Sequence, residues 1–163
     1  MENKNVREGG ISRRAHHSVK LDEDRAEREF IGGLERLSEG GASGSVGAYL
    51  HLPFCPQRCL TCERVTTAGR PDHSVDGYLV RLDREMSAVA QHIPNGVTVN
   101  QVHVGGGTPN YLNPSQLIYV RELIDRHLRL STDATLSIEV NPKRCSHSQL
   151  ALLQGLGFTE LAL

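Results

Sequence analysis

From residue 46 onward the chain changes its hydrophobic period at every step, and this limits the folds open to it. Val46 to Phe54 (VGAYLHLPF) reads as a strand. Ser74 to Ile93 reads as a helix, with Val75, Tyr78, Leu82, Met86, Val89 and Ile93 stepping by three or four. Val97 to Val104 is a second strand that runs into Gly105-Gly106-Gly107. Asn113-Pro114-Ser115-Gln116 opens a second helix, with Asn as cap, Pro at the first position and Gln three residues after the cap. That helix places Leu117, Val120, Ile124 and Leu128 on one side. Ala134 to Val140 is a third strand. Ser146 and Gln149 have capping-box spacing for a third helix carrying Leu150, Leu153 and Leu156, with Gly157 placed to end it. Glu160 to Leu163 starts a fourth strand. Strands alternating with helices in this way predict an α/β fold with a parallel sheet and helical crossovers. Ligands of such sheets lie at the C-terminal ends of the strands. Chemistry is therefore expected after Phe54, after Val104 and around Glu139-Val140.

The first 45 residues read differently. Residues 1 to about 20 are polar and without period, as in a flexible arm. Leu21 to Leu37 carries Phe30, Ile31, Leu34 and Leu37 at helical spacing, with Asp22, Glu23 and Asp24 near its start, where acids suit a helix N-terminus. A Gly/Ser stretch from Ser38 to Ser45 follows. The expected division is thus an arm with one helix and a linker over 1–45, and a core domain over 46–163. The 18 basic and 19 acidic residues nearly cancel, to a formal charge of −1. Bulk charge gives no case for a nucleic-acid partner or an acidic membrane surface. Apolar runs fall far short of the roughly 18 residues that span a bilayer, and Met1 to Gly10 has no signal-peptide core. The expectation is a cytoplasmic protein.

Three of the four cysteines sit together as Cys55-Pro56-Gln57-Arg58-Cys59-Leu60-Thr61-Cys62. Clustered cysteines in a reducing compartment point to a metal or cluster before disulfides. Pro53 and Pro56 keep the segment out of regular structure. Three thiolates suit an iron–sulfur cube with one iron left open. They equally suit zinc if His51 or Cys145 supplies a fourth ligand. Gly105 to Gly107 would let a ligand approach the backbone, or would make a plain tight turn. Glu139 at the end of strand three would accept from an amine or hydroxyl, or would be a solvated strand-end acid. Tyr49 is open to a site role or an ordinary core role.

Four segments together are similar to a known family. Tyr49-Leu50-His51-Leu52-Pro53-Phe54-Cys55 with Cys59 and Cys62 resembles the cysteine signature of radical S-adenosylmethionine proteins, in the branch of oxygen-independent coproporphyrinogen III oxidase (coproporphyrinogen dehydrogenase) and its relatives. His103 to Leu112 (HVGGGTPNYL) resembles that branch's glycine motif, with Asn110 where the branch has Ser or Thr. Ile138-Glu139-Val140-Asn141-Pro142 and Gly155 to Phe158 match two further motifs in the same order.

The resemblance implies a partial TIM-type (β/α) barrel, of which residues 46–163 would supply about three and a half units before breaking off at the fourth strand. A full eight-unit barrel takes roughly 250 residues. It implies that Cys55, Cys59 and Cys62 hold a 4Fe–4S cluster whose open iron is chelated by S-adenosylmethionine. One electron then cleaves the sulfonium to a 5′-deoxyadenosyl radical. Tyr49, Gly106 and Glu139 would contact that cofactor, and Gly107 and Thr108 a second molecule of it. His51 would orient its neighbours, and His103 would be a core residue or part of the site's wall. The implied reaction is oxidative decarboxylation of porphyrinogen propionates in haem biosynthesis. Its partners would be a porphyrinogen-like small molecule and a low-potential electron donor. The alternatives are a haem-binding chaperone or regulator of the same family, or an inactive fragment. The chain departs from the branch at Thr61 (usually aromatic), at Glu63-Arg64, in the arm around Ser12 to Ser18, and at Glu160 and Ala162.

Overall fold

A computed structural model of the chain describes residues 23–37, 44–57 and 65–163. The expected arm before residue 23, most of the linker, and Cys59, Thr61, Cys62, Glu63 and Arg64 lie outside the described residues. In chain order the elements are α1 (Glu23–Arg36), β1 (Ser45–Leu52), β2 (Phe54–Cys55), β3 (Thr67–Ala68), α2 (Asp72–Ala90), β4 (Thr98–Gly106), α3 (Pro114–His127), β5 (Leu130–Glu139), α4 (His147–Gly155) and β6 (Glu160–Ala162). Short 3-10 turns at Pro109–Tyr111 and Pro142–Arg144 follow β4 and β5. No helix among the described residues is long and apolar enough to cross a membrane.

The main sheet runs β1-β4-β5-β6, all parallel. Strands that follow one another in the chain are neighbours in space, and α3 packs between α2 and α4. The winding therefore keeps one sense, as in a barrel, with no reversal of strand order of the doubly wound kind. The expected α/β architecture is present, with two differences at strand ends. Pro53 has no N–H to give a ladder, so β1 stops at Leu52. The chain resumes as β2, which pairs with β3 away from the main sheet. Strand β5 starts at Leu130, four residues before the expected Ala134, because Leu130 pairs with Val99 across a register shift. The polar run Ser131-Thr132-Asp133 hid this extension.

Side chains alternate along a strand, so one face of the sheet carries Leu50, Leu52, Val102, Val104, Leu136 and Ile138, all buried. They form one cluster with Leu79 and Leu82 of α2, Leu117, Val120, Leu123 and Ile124 of α3, and Leu153 of α4. Burial of each such side chain contributes about 1.5–3 kcal/mol. Of the three leucines expected to seat α4, only Leu153 is buried. Leu150 is exposed, because α4 flanks β6, the last strand of the sheet.

The caps show how local chemistry sets the helix ends. Asn113 Oδ1 accepts from the Gln116 amide at 3.0 Å, and Gln116 Oε1 accepts from the Asn113 amide at 3.0 Å, a complete capping box. Ser146 accepts from the Gln149 amide at 3.2 Å, but the Gln149 side chain does not return to Ser146; it crosses to Asn110. Helix α4 ends as expected at Gly157 (φ 82°), where the Phe158 amide donates to Leu153 and the Gly157 amide to Gln154.

Helices α2 and α3 are also joined by a polar cluster around Asp83. His127 Nε2 lies 2.6 Å from Asp83 Oδ1, Tyr119 donates to Oδ2 at 3.1 Å, and Arg126 reaches Oδ2 at 3.2 Å. The His127 hydrogen bond, with help from Tyr119 and Arg126, holds the Asp83 carboxyl below its ordinary value against an opposing desolvation effect. A carboxyl lowered in the folded state stabilises the fold above its unfolded pKa of about 3.9, and that contribution is lost as pH falls through the folded value. Asp83→Asn is expected to melt at a lower temperature than the parent chain at neutral pH. The gap should close as the melts are repeated at pH values below about 4.

Candidate functional site

The face opposite the core is polar. Tyr49 and His51 of β1, His103 and Gly105 of β4, and Ser137 and Glu139 of β5 occupy its alternate positions. Tyr49 stands beside His103, and His103 beside Ser137. The rings of Tyr49 and His103 stack with centroids 5.7 Å apart and planes 21° from parallel. Tyr49 is 57 % exposed, which settles the choice between core and surface for this residue. A parallel sheet is ordinarily covered on both faces. Here the described residues cover only the apolar one.

The glycine run sits where the strands end, and backbone sterics explain the glycines at 106 and 107, while Gly105 faces only side-chain ends. A Cβ on Gly107 would stand 2.6 Å from the Phe54 carbonyl oxygen and 2.8 Å from Cys55 Sγ. One on Gly106, whose φ is 122°, would meet the Leu52 carbonyl oxygen at 2.7 Å. One on Gly105 would meet Glu139 Oε1 at 2.8 Å and the Tyr49 ring at 3.0 Å. Without those atoms, the Gly107 amide donates to Leu52 and the Thr108 amide to Phe54, both at 2.8 Å. The end of β4 thus presses onto the start of the cysteine segment.

Cys55 is buried at this contact, with the Thr108 hydroxyl 3.7 Å from Sγ. Its segment is closed at the base, where the Thr67 amide donates to Pro53 at 2.7 Å and the Gly69 amide to Cys55 at 3.0 Å. His51 lies close by, and both its ring nitrogens have partners, the Tyr49 hydroxyl at 3.4 Å and the Val65 carbonyl at 3.1 Å. These contacts tie the ring to β1 and to the segment that ends at Val65. The Tyr78 hydroxyl donates to the His51 carbonyl at 2.5 Å. Burial pushes the Tyr78 phenol up, which keeps it a neutral donor. Among the described residues, no three His, Cys, Asp or Glu side chains gather as for a metal ion, and Cys55 is the one member of the expected trio described. Cys145 is a free thiol capping the turn after β5.

Glu139 reaches the same place from β5. Its Oε2 accepts from the Gly106 amide at 3.3 Å, and its Oε1 lies 3.4 Å from His103 Nε2. A cavity of about 460 Å³ opens beside it, lined by Gly107, Thr108, Glu139, Asn141 and Ala162. The parallel-sheet rule placed ligands here, and the structure brings Tyr49, Cys55, Gly106, Gly107, Thr108 and Glu139 to this end of the sheet.

Three further residues, Asn110, Gln149 and Ser137, were given no site role from sequence. Buried Asn110 accepts from the Asn141 amide at 2.8 Å and donates to the Asn141 carbonyl and to Gln149 Oε1, both at 3.2 Å. Gln149 donates back to the Asn110 carbonyl at 3.0 Å. Asn110 therefore copies a backbone bridge between the loops after β4 and β5, at the position where the motif's Ser or Thr is replaced. That departure was the available signal. Ser137, buried behind His103, gave none.

Gly107→Ala is expected to destabilise the fold by about 1–3 kcal/mol, because backbone and sulfur rather than a flexible side-chain end meet the new methyl. Asn110→Ala should cost a similar amount by removing a buried amide and leaving its partners on half-buried Asn141 and Gln149 unpaired. Both are read by urea unfolding, and an unchanged midpoint for Gly107→Ala would contradict the close approach.

No family model matches the chain. It is 33% identical over 146 residues to the oxygen-independent coproporphyrinogen III oxidase of Escherichia coli K12, covering 90% of the chain and 31% of the relative. It is 36% identical over 143 residues to the enzyme of that name from Pseudomonas aeruginosa, covering 83% and 31%. To the heme chaperone HemW of Mycobacterium tuberculosis it is 34% identical over 119 residues, covering 72% and 30%. Among solved structures, the coproporphyrinogen III oxidase HemN of Escherichia coli, a radical SAM enzyme, superposes with a TM-score of 0.76 at 32% identity, over 88% of this chain and 32% of that one. The chain spans about a third of the length of these relatives. In sequence and in fold alike, the chain resembles the oxygen-independent coproporphyrinogen III oxidase branch of the radical S-adenosylmethionine proteins over that third.

Proposed function

We propose that residues 46–163 form the cluster-holding and cofactor-holding part of a radical S-adenosylmethionine oxidoreductase of the oxygen-independent coproporphyrinogen III oxidase type, preceded by an arm over 1–45. The observation that carries this reading is the position of Cys55. Its sulfur sits buried against Gly107 and Thr108, at the strand ends that also hold Glu139. The donor set fits a 4Fe–4S cluster. Cys55 would be one thiolate, Cys59 and Cys62 the other two, and three protein ligands leave one iron for the cofactor. When bound, the cluster supplies the electron that cleaves S-adenosylmethionine.

The remaining tasks fall to the chain's own residues. Glu139 accepts hydrogen bonds, which suits an ammonium or ribose hydroxyl. Gly106 contributes backbone where a side chain would block approach. Tyr49 offers an exposed ring face to an adenine or sugar. Gly107 and Thr108 line the cavity toward β6, where a second cofactor molecule would sit. The substrate read for the longer relatives is a porphyrinogen whose propionates lose carbon dioxide. The compartment read from sequence is the cytoplasm, with a low-potential donor supplying electrons.

Anaerobic reconstitution with iron and sulfide is expected to give a brown protein, and Cys55→Ser, Cys59→Ser or Cys62→Ser should each lose most of the bound iron. The reduced protein should release 5′-deoxyadenosine from S-adenosylmethionine. Glu139→Gln should weaken cofactor binding by roughly tenfold, as loss of a charged acceptor does. Iron bound without any 5′-deoxyadenosine would refute the catalytic reading. The similarity to HemW favours a second reading as a haem carrier, for which a haem titration is the measurement. Cofactor cleavage with no haem bound at micromolar concentration would rule that out.

A further inference from the structure

We propose that His103 is a positioning residue that aims the Glu139 carboxylate, with the Ser137 hydroxyl holding its other ring nitrogen. This matters for ligand binding only if Glu139 is the cofactor contact read above.

The inference starts from a count of protons. The Ser137 hydroxyl has one, and two acceptors lie near it: His103 Nδ1 at 2.7 Å and the Val102 carbonyl at 3.3 Å. The Glu139 Oε1 that faces Nε2 is a carboxylate oxygen and can only accept, so in the neutral ring Nε2 carries the hydrogen and Nδ1 accepts from the Ser137 hydroxyl, its nearer partner. A neutral imidazole that accepts at Nδ1 carries its hydrogen on Nε2. Nε2 faces Glu139 Oε1 at 3.4 Å. Hydrogen bonds therefore run in one direction, from Ser137 to His103 to Glu139.

The other carboxylate oxygen faces the Gly106 amide at 3.3 Å. Glu139 is thus drawn from two sides, by a ring on β4 and by the backbone at the end of β4. The ring itself is fixed in plane by its stack on Tyr49 and in depth by buried Ser137. The side chains of His103 and Glu139 remain 29% and 22% exposed, so the aligned pair looks onto the open face. The other titratable groups on that face are His51, beside Tyr49, and Glu160, level with Ser137 on β6.

Two measurements test this. In the chain labelled with 15N-histidine, His103 should show a bare Nδ1 and a protonated Nε2. Ser137→Ala should shift the Nδ1 resonance while Nε2 stays protonated, and Glu139→Gln should shift the Nε2 resonance more than Nδ1. A protonated Nδ1 in the parent chain would overturn the proposal. Binding of S-adenosylmethionine to the reconstituted chain, by equilibrium dialysis, gives the second readout. His103→Asn cannot reach Glu139 and should bind roughly tenfold more weakly. His103→Gln places an amide nitrogen where Nε2 stands and should bind within about threefold of the parent. Equal losses in the two variants would mean that His103 merely fills space, and would also overturn the proposal. A parent chain that binds no S-adenosylmethionine would instead defeat the reading of Glu139 as a cofactor contact, while the spectrum alone would decide the hydrogen bond.

Discussion

The contact between the end of β4 and the turn from β1 into β2 governs the rest of the site. Backbone meets backbone there with no room for a single methyl at Gly106 or Gly107. The two amides that reach across, from Gly107 to Leu52 and from Thr108 to Phe54, continue the ladder past the point where Pro53 would have ended it. Because β1 and β4 are locked at that point, Cys55 arrives against Thr108 and Glu139 arrives over Gly105. A strand pair that slipped by one residue would turn Tyr49 and His103 into the core and Leu50 and Val102 out of it.

The sheet divides its labour by face. On one side six aliphatic side chains from three strands sink into the helices, where burial supplies the stability. On the other, Tyr49, His103, Ser137 and Glu139 form a connected polar layer that contributes little to a core and exposes ring and carboxylate. Alternation along each strand makes the two roles independent. A substitution on the polar face can change chemistry without opening a cavity among the leucines. The Asp83 cluster lies on neither face. It ties α2 to α3 and leaves the strands to do the positioning.

Much of this was legible in the residues, and the exceptions have physical reasons. Helix α3 could be read because cap, proline and glutamine are local signals that act on their own neighbours. The existence of β1 and β4 could be read from their apolar runs, but the reading carried β1 through Pro53 to Phe54, where the missing N–H in fact ends it at Leu52. The β2–β3 pair could not be read, since two residues show no period. Nor could the first residues of β5, whose polar composition looks like loop until Leu130 is seen to pair with Val99. Leu150 shares helical spacing with buried Leu153 and half-buried Leu156 but is exposed, because spacing does not say how much sheet lies beneath a helix. The likeness of the glycine motif pointed to Gly106, Gly107 and Thr108. The role of Asn110 depends on a partner some thirty residues away, and that of Ser137 on the register of a neighbouring strand. Neither distance is written in the local sequence.

The small β2–β3 pair has a consequence for assembly. In many minimal metal-binding modules the ion gathers a chain that has no shape without it, and loading is the same event as folding. Here Pro53 and Cys55 are joined to Thr67 and Gly69 by main-chain bonds alone, so the noose containing the other two cysteines is tied by the protein itself. The entropy of closing that loop is met by the pairing of these strands. The two ends of the cysteine-bearing segment are therefore set by the main-chain pairing of β2 with β3.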